Sequence, residues 1–144
     1  MLHVEDTVYV DAPREAVFAF MDDPENQVVI TPSITDVRDV EPLDNGGKRL
    51  AYTYTMAGAD LDGTLETPTY ERGERIVFDL QQGPLAGTIT WTFEREGSGT
   101  RVTYAADYEL PSRVLETAAR PFLERYNERE LETTLANLQA QFED

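Results

Sequence analysis

The arrangement of strand-like segments before one long amphipathic helix constrains this chain more than any other feature. Five segments of alternating apolar and polar residues fill the second half of the sequence. Turn clusters at 44–47, 58–60, 72–74, 82–84 and 96–99 mark their ends. Turns at these positions predict consecutive hairpins in an antiparallel meander, with one apolar face and one face exposed to solvent. A curved sheet whose apolar face grips a helix tends to enclose a cavity.

The strand positions that should face the helix are unusually rich in aromatic rings and tyrosines: Tyr52, Tyr54, Met56, Ile76, Phe78, Leu80, Ile89, Trp91, Phe93, Val102, Tyr104 and Tyr108. A buried phenol needs a hydrogen-bond partner, and a ligand carbonyl or a water molecule can be that partner. The tyrosines are therefore the strongest indication of a binding site. The alternative is ordinary core packing, since aromatic residues at a period of two are common on sheets.

The first half of the chain predicts one strand, two short helices and a less regular strand. Residues 4–10 alternate with the period of a half-buried strand. Helices are predicted over 13–21 and 24–30, because Pro24 would interrupt a continuous helix. In Ile34–Leu43 the apolar residues fall three apart, which favours a bulge or an edge strand.

The last third of the chain predicts a long helix that begins at Pro111 or Ser112. Pro121 removes one backbone hydrogen bond, so we expect it to kink the helix or divide it into two segments. The apolar stripe of the helix consists of Phe122, Leu123, Tyr126, Leu131, Leu135, Leu138 and Phe142.

Length and composition predict a single domain over 1–144. The chain has no cysteine, and His3 is its one histidine, which excludes disulfides, thiolate catalysis and histidine-rich metal sites. We predict no metal and no cofactor. The first residues carry acids and no basic, apolar leader, and the longest apolar run is Ala16–Met21. We therefore expect neither a signal peptide nor a membrane-spanning helix.

Acidic residues dominate the charge of the chain, which has a formal net charge of -16 from 28 acids and 12 bases. Such a field repels nucleic-acid phosphates and anionic lipid headgroups, so neither is an expected partner. The acids form either an ordinary solvated surface or an adaptation to a cytoplasm of high salt concentration, where ions screen self-repulsion. Lys48 is the only lysine. A scarcity of lysine agrees with adaptation to high salt, although GC-rich coding also replaces lysine with arginine.

Several local sequences resemble the START/Bet v 1-like (SRPBCC) superfamily, in particular its polyketide cyclase/dehydrase and lipid-transport branch. Val8–Phe18 is similar to the family's opening strand and its Ala-Pro helix start. Residues 22–25 (DDPE) and 31–34 (TPSI) are similar to the next segment. The resemblance spans nearly the whole chain, but its motifs are structural and include no family-wide catalytic signature.

The resemblance implies an α+β helix-grip fold, in which a seven-stranded antiparallel sheet wraps around the long C-terminal helix. It also implies a hydrophobic pocket between them, because members bind lipids, quinones, polyketides or plant hormones. Combined with the inward face of the sheet, it gives these candidate ligand-binding residues: Tyr52, Tyr54, Met56, Phe78, Leu80, Trp91, Phe93, Tyr104, Tyr108, Phe122 and Tyr126.

Binding of a small hydrophobic molecule without turnover is the favoured function. One alternative is an enzyme of the cyclase or dehydratase type with a pocket tyrosine as acid, and another is a protein-interaction accessory domain. The enzyme alternative lacks a predicted base, because tyrosines are the only titratable groups placed inward with confidence by the pattern. Asp6 shares the predicted inward face of Val4 and Val8, but its position near a strand end favours a solvated carboxylate. The sequence leaves the oligomeric state and the ligand open.

Overall fold

The computed structural model describes residues 2–56, 59–82, 86–109 and 113–143, with the side chains of 56, 59, 82, 113–120 and 123 excepted. In chain order the elements are β1 (Leu2–Val10), α1 (Arg14–Asp22), α2 (Pro24–Ile30), β2 (Ile34–Pro42), β3 (Lys48–Met56), β4 (Ala59–Glu71), β5 (Arg75–Gln82), β6 (Ala86–Glu96), β7 (Gly99–Glu109) and α3 (Arg113–Ala140). This order confirms the predicted succession of one strand, two short helices, six strands and a long helix.

The seven strands form one antiparallel sheet in the order β1-β7-β6-β5-β4-β3-β2. Strands β2 to β7 are therefore a simple meander, and β1 returns to pair with β7, so that Val8 lies opposite Val102. In β6 the buried residues Trp91 and Phe93 alternate with Thr92 and Glu94, which are more exposed. This alternation gives the sheet the apolar face that the sequence pattern predicts.

Strand β2 lies at one edge of the sheet and is irregular, as its apolar spacing predicts. Its pairing with β3 shifts between Ile34 and Asp36 and again between Arg38 and Glu41. Asp39, within the second irregularity, has a φ angle of 54°. Bulges of this kind bend an edge strand away from further pairing.

The chain changes direction between α1 and α2 at Asp23. The Asp23 side chain accepts a hydrogen bond from the Glu25 backbone N–H at 3.0 Å, and Pro24 occupies the first helical position. Aspartate and proline are favoured at these two positions. The predicted division into two short helices is confirmed.

Helix α3 continues through Pro121 as one element. Of the two outcomes expected for this proline, a division of the helix into two segments is therefore wrong. Leu131, Leu135 and Leu138 follow at spacings of four and three and are buried in the main core. Among the helices of the described residues, none is long and apolar enough to cross a membrane.

The apolar core is divided into two clusters. The main cluster joins α1 and α3 to β1, β6 and β7 around Trp91, Phe93 and Leu138. A second cluster consists of Leu50, Tyr52 and Leu80. Protein interiors are normally packed into one contiguous core, so this division indicates space between the clusters.

Candidate functional site

A cavity of about 130 Å³ lies between the apolar face of the sheet, α2 and α3. By the same measure a water molecule needs roughly 10–15 Å³, so the cavity is large enough for an organic molecule. Strands β3 to β7 supply most of its walls. Seven predicted site residues are among those that line it: Tyr52, Tyr54, Phe78, Leu80, Trp91, Tyr104 and Tyr108.

Three predicted site residues lie outside the cavity wall, and the side chain of a fourth is not described. Phe93 is 1% exposed and packs edge-to-face against Phe18, with ring centroids 5.2 Å apart, so it belongs to the core. Phe122 is 59% exposed and is not part of the cavity wall. Tyr126 is not part of the wall either, but it bonds to residues beside it. The side chain of Met56 lies outside the described residues.

The phenols of Tyr104 and Tyr108 form a hydrogen-bonded pair in the cavity wall. Their oxygen atoms are 2.5 Å apart, and either one can be the donor. Both side chains lie on β7 and point to the same face of the sheet, since residues four apart in a strand share a face. Trp91 on β6 packs edge-to-face against Tyr104 at a centroid distance of 4.9 Å. The pair is therefore held in place by neighbouring strands.

Burial raises the pKa of the phenols in this wall. Loss of hydration is the largest cause of the raised pKa of Tyr54, Tyr104 and Tyr108, and the negative charge of Glu130 adds a smaller increase to the pKa of each. Because their neutral forms are favoured, these hydroxyls serve as hydrogen-bonding groups at neutral pH rather than as ready proton donors.

Glu130 on α3 is a residue of the cavity wall that the sequence interpretation missed. Its Oε1 accepts a hydrogen bond from the backbone N–H of Ser33 at 2.8 Å. The Ser33 hydroxyl lies 2.5 Å from the Tyr126 hydroxyl, which also donates to the carbonyl of Thr55 at 3.3 Å. These bonds tie α3 to the start of β2 and the end of β3, and they fix the position of the carboxylate.

Helical spacing is the signal that could have revealed Glu130. Asn127, Glu130, Leu131 and Thr134 all line the cavity and lie three or four residues apart on one face of α3. The expectation that the pocket contains no base is therefore wrong, because a carboxylate lies in its wall.

A cluster of three polar residues, Asp22, Lys48 and Tyr70, lies at another part of the wall, where α1 meets β3 and β4. Lys48 Nζ donates to Asp22 Oδ1 at 3.0 Å and to the Asp22 carbonyl at 2.9 Å. The Tyr70 hydroxyl donates to Asp22 Oδ2 at 2.9 Å. The pKa of Tyr70 is raised to about 12, first by burial and then by this hydrogen bond.

Two further expectations concern acids and metals. Asp6 is exposed, and its carboxylate accepts a hydrogen bond from the Thr7 N–H at 2.8 Å, so the favoured interpretation of a solvated carboxylate is confirmed. Across the described residues, no group of three or more His, Cys, Asp or Glu side chains could hold a metal ion.

The tyrosine pair predicts how stability depends on pH. A phenol with a raised pKa in the folded state contributes stability that is fully present below the unfolded value of 10.0 and is lost as the pH rises above it. The double variant Tyr104→Phe/Tyr108→Phe removes both phenols and leaves neither hydroxyl unpaired. When the pH rises from about 9 to about 11, the free energy of unfolding should therefore fall less in the double variant than in the wild type.

Urea unfolding followed by Trp91 fluorescence measures this difference. Tyr9→Phe is the control, because Tyr9 is 40% exposed, and it should follow the wild type. Equal pH slopes in the wild type and the double variant would show that the pair does not titrate as described.

Comparisons with solved structures agree with this architecture. A protein from Thermus thermophilus is 22% identical, with a TM-score of 0.86 over 98% of this chain and 97% of that one. A START superfamily protein from Mycobacterium smegmatis is 19% identical, with a TM-score of 0.82 over 97% and 96% of the two chains. An aromatase/cyclase from a Streptomyces species is also 19% identical, with a TM-score of 0.82 over 97% and 92%.

At these identities the three structures establish the fold, and sequence comparison identifies the family. No curated protein sequence matches the chain. The family described as polyketide cyclase/dehydrase and lipid transport matches residues 1–143. The helix-grip arrangement expected from the resemblance is thus confirmed, and the chain belongs to the polyketide cyclase/dehydrase and lipid transport family.

Proposed function

We propose that this protein binds a small hydrophobic molecule, such as a lipid, an isoprenoid quinone or an aromatic metabolite, in the cavity between the sheet and α3. The cavity itself carries this proposal. Its walls are mainly apolar and aromatic, and its few polar groups are held in place by bonds to the protein. Ligand sites in proteins commonly combine these two properties.

Desolvation would supply most of the binding free energy, at roughly 25 cal/mol for each Å² of apolar surface removed from water. The phenols of Tyr54, Tyr104 and Tyr108 would orient the polar end of the ligand, because they remain neutral and able to donate or accept hydrogen bonds. The role of these tyrosines as ligand-binding residues is part of the proposal, as are the roles of Tyr52, Phe78, Leu80 and Trp91.

Filling the cavity should abolish binding. Ile89 lines the cavity, whereas its neighbour Thr88 is exposed. We expect Ile89→Trp to weaken binding of the neutral fluorescent probe N-phenyl-1-naphthylamine by about tenfold or more, which is ~1.4 kcal/mol. Thr88→Trp adds the same ring to the same strand on the other face, and it should bind the probe as the wild type does.

Fluorescence titration measures both affinities, and urea unfolding shows whether each variant is folded. Unchanged probe affinity in a folded Ile89→Trp variant, or no probe binding to the wild type, would contradict the proposal.

Catalysis of ring closure is the second candidate function, and Glu130 is the observation that favours it. A carboxylate beside neutral phenols would accept the proton from a carbon between two carbonyl groups, while a phenol donates a hydrogen bond to the resulting enolate oxygen. The similar fold of an aromatase/cyclase supports this candidate. It does not displace binding without turnover, because fold alone does not determine activity.

The two candidates differ in turnover. A linear poly-β-ketone thioester incubated with the wild type should give a cyclised product if the protein is an enzyme, and loss of water detected by mass spectrometry would report dehydration. Glu130→Gln and Tyr104→Phe should then lower turnover by about 10²-fold or more with substrate binding retained. Binding of the thioester without any product in the wild type would exclude this reaction for that substrate.

A protein-interaction accessory domain is the third alternative that the sequence leaves open. A filled or collapsed pocket together with an exposed apolar patch would favour it. Phe122 and Val29 are exposed apolar residues, but the cavity is neither filled nor collapsed. The first condition is not met, so this alternative receives no specific support.

We also infer that the protein works in a cytoplasm of high salt concentration. The inference rests on the net charge of -16 and on the single lysine. Salt at 1 M reduces the screening length to roughly 3 Å and so weakens repulsion among surface acids. The free energy of unfolding should rise when KCl increases from about 0.1 M to about 2 M. A nonionic osmolyte at equal osmolality is the control, and stability that is flat or falls with KCl would contradict the inference.

A further inference from the structure

Among the described side chains of the cavity wall three are charged, and two of them neutralise each other. Asp22 and Lys48 form an ion pair at 3.0 Å, and Tyr70 donates a further hydrogen bond to the same carboxylate. The third is Glu130. The part of the wall that the structure describes therefore has one charged side chain without an oppositely charged partner, Glu130.

Glu130 has an incomplete set of partners. Its Oε1 accepts the Ser33 N–H at 2.8 Å, and within the described part of the chain neither an ion pair nor a hydrogen bond involves its Oε2. A carboxylate has about four lone-pair positions and accepts hydrogen bonds without donating any. It therefore retains capacity for a donor brought by a ligand.

The surroundings of Glu130 strengthen its effect on a ligand. Glu130 lines the same cavity as Tyr54, Tyr104 and Tyr108, and its negative charge adds, after burial, to the raised pKa of each phenol. Apolar walls screen charge poorly. A second negative charge in the same cavity would therefore be repelled, whereas a hydroxyl or an ammonium group would be attracted.

We propose that the cavity selects apolar molecules whose polar end carries a hydrogen-bond donor, either a hydroxyl or a protonated amine, and that Glu130 discriminates against the corresponding carboxylic acids. This specificity rests on the proposed function, since it concerns the ligand of the same cavity. Lys48 does not reverse the preference, because Asp22 pairs its charge and accepts two of its three N–H donors.

Four ligands built on a linear chain of eight carbon atoms test the proposal: 1-octanol, octylamine, octanoate and methyl octanoate. Each competes with N-phenyl-1-naphthylamine, a neutral probe, for the wild-type protein at neutral pH. The alcohol and the amine should displace the probe at concentrations about tenfold lower than octanoate does. The methyl ester, which is neutral but has no donor, should fall between them and so separates the effect of charge from that of the donor.

The variant Glu130→Gln removes the charge but keeps an oxygen that can accept from Ser33. It should gain about tenfold in affinity for octanoate and lose about tenfold for octylamine, each measured relative to methyl octanoate in the same variant. Glu128→Gln is the matched control, because Glu128 is exposed on the same helix. Both variants change the net charge of the protein equally, so a difference between them reports the cavity and not the acidic surface.

The outcomes separate the two proposals. Absence of probe binding to the wild type would overturn the proposed function and this inference together. Probe binding with equal displacement by octanol and octanoate would overturn the inference alone, and so would an unchanged preference in folded Glu130→Gln. If Glu130→Gln does not fold, the comparison of octanol with methyl octanoate on the wild type still tests the preference for a donor, because both ligands are neutral and the acidic surface does not distinguish them. Equal affinity for these two ligands would overturn the inference.

Discussion

The contact between the concave sheet face and α3 is the constraint on which the rest of this structure depends. A seven-stranded antiparallel sheet with one apolar face must cover that face, and a single helix is narrower than the sheet. Leu131, Leu135 and Leu138 cover it opposite β1, β6 and β7, where the main core forms. Opposite β3 and β5 the described side chains of the helix do not complete the packing, and Leu50, Tyr52 and Leu80 form a separate cluster. The cavity is a consequence of this mismatch in width.

Polar groups inside such a cavity have to be compensated, because unpaired polar atoms are costly in apolar surroundings. Tyr104 and Tyr108 satisfy each other, and Asp22 is bonded by Lys48 and Tyr70. Glu130 is bonded on one oxygen by Ser33. The polar groups of the wall are thus held in fixed positions, and this arrangement can give a largely apolar site a preference for one orientation of its ligand.

The sequence predicted the elements of the fold because their signals are local. The two-residue period of β6 and the Asp23-Pro24 helix start depend on neighbouring residues alone, and even the irregularity of β2 was visible in its three-residue spacing. The site was predicted less completely. The predicted apolar stripe of α3 included Phe122, which is exposed. The leucines later in the same stripe, Leu131, Leu135 and Leu138, are buried. The sequence interpretation did not include Glu130 in the site, because a charged residue on a helix is usually exposed to solvent.

The sequence by itself determined the architecture of this protein, since strand alternation, turn residues and helix starts are written in short segments of chain. It also determined which strand faces are apolar and that tyrosines are concentrated on one of them. Only the tertiary structure decided which of these side chains border empty space and which pack tightly, as the contrast between Trp91 in the wall and Phe93 in the core illustrates. It also decided that Asp22, Lys48 and Tyr70 meet at the cavity. The physical reason is that a cavity is set by the curvature of the whole sheet and the position of the helix across it, and no local pattern encodes either quantity.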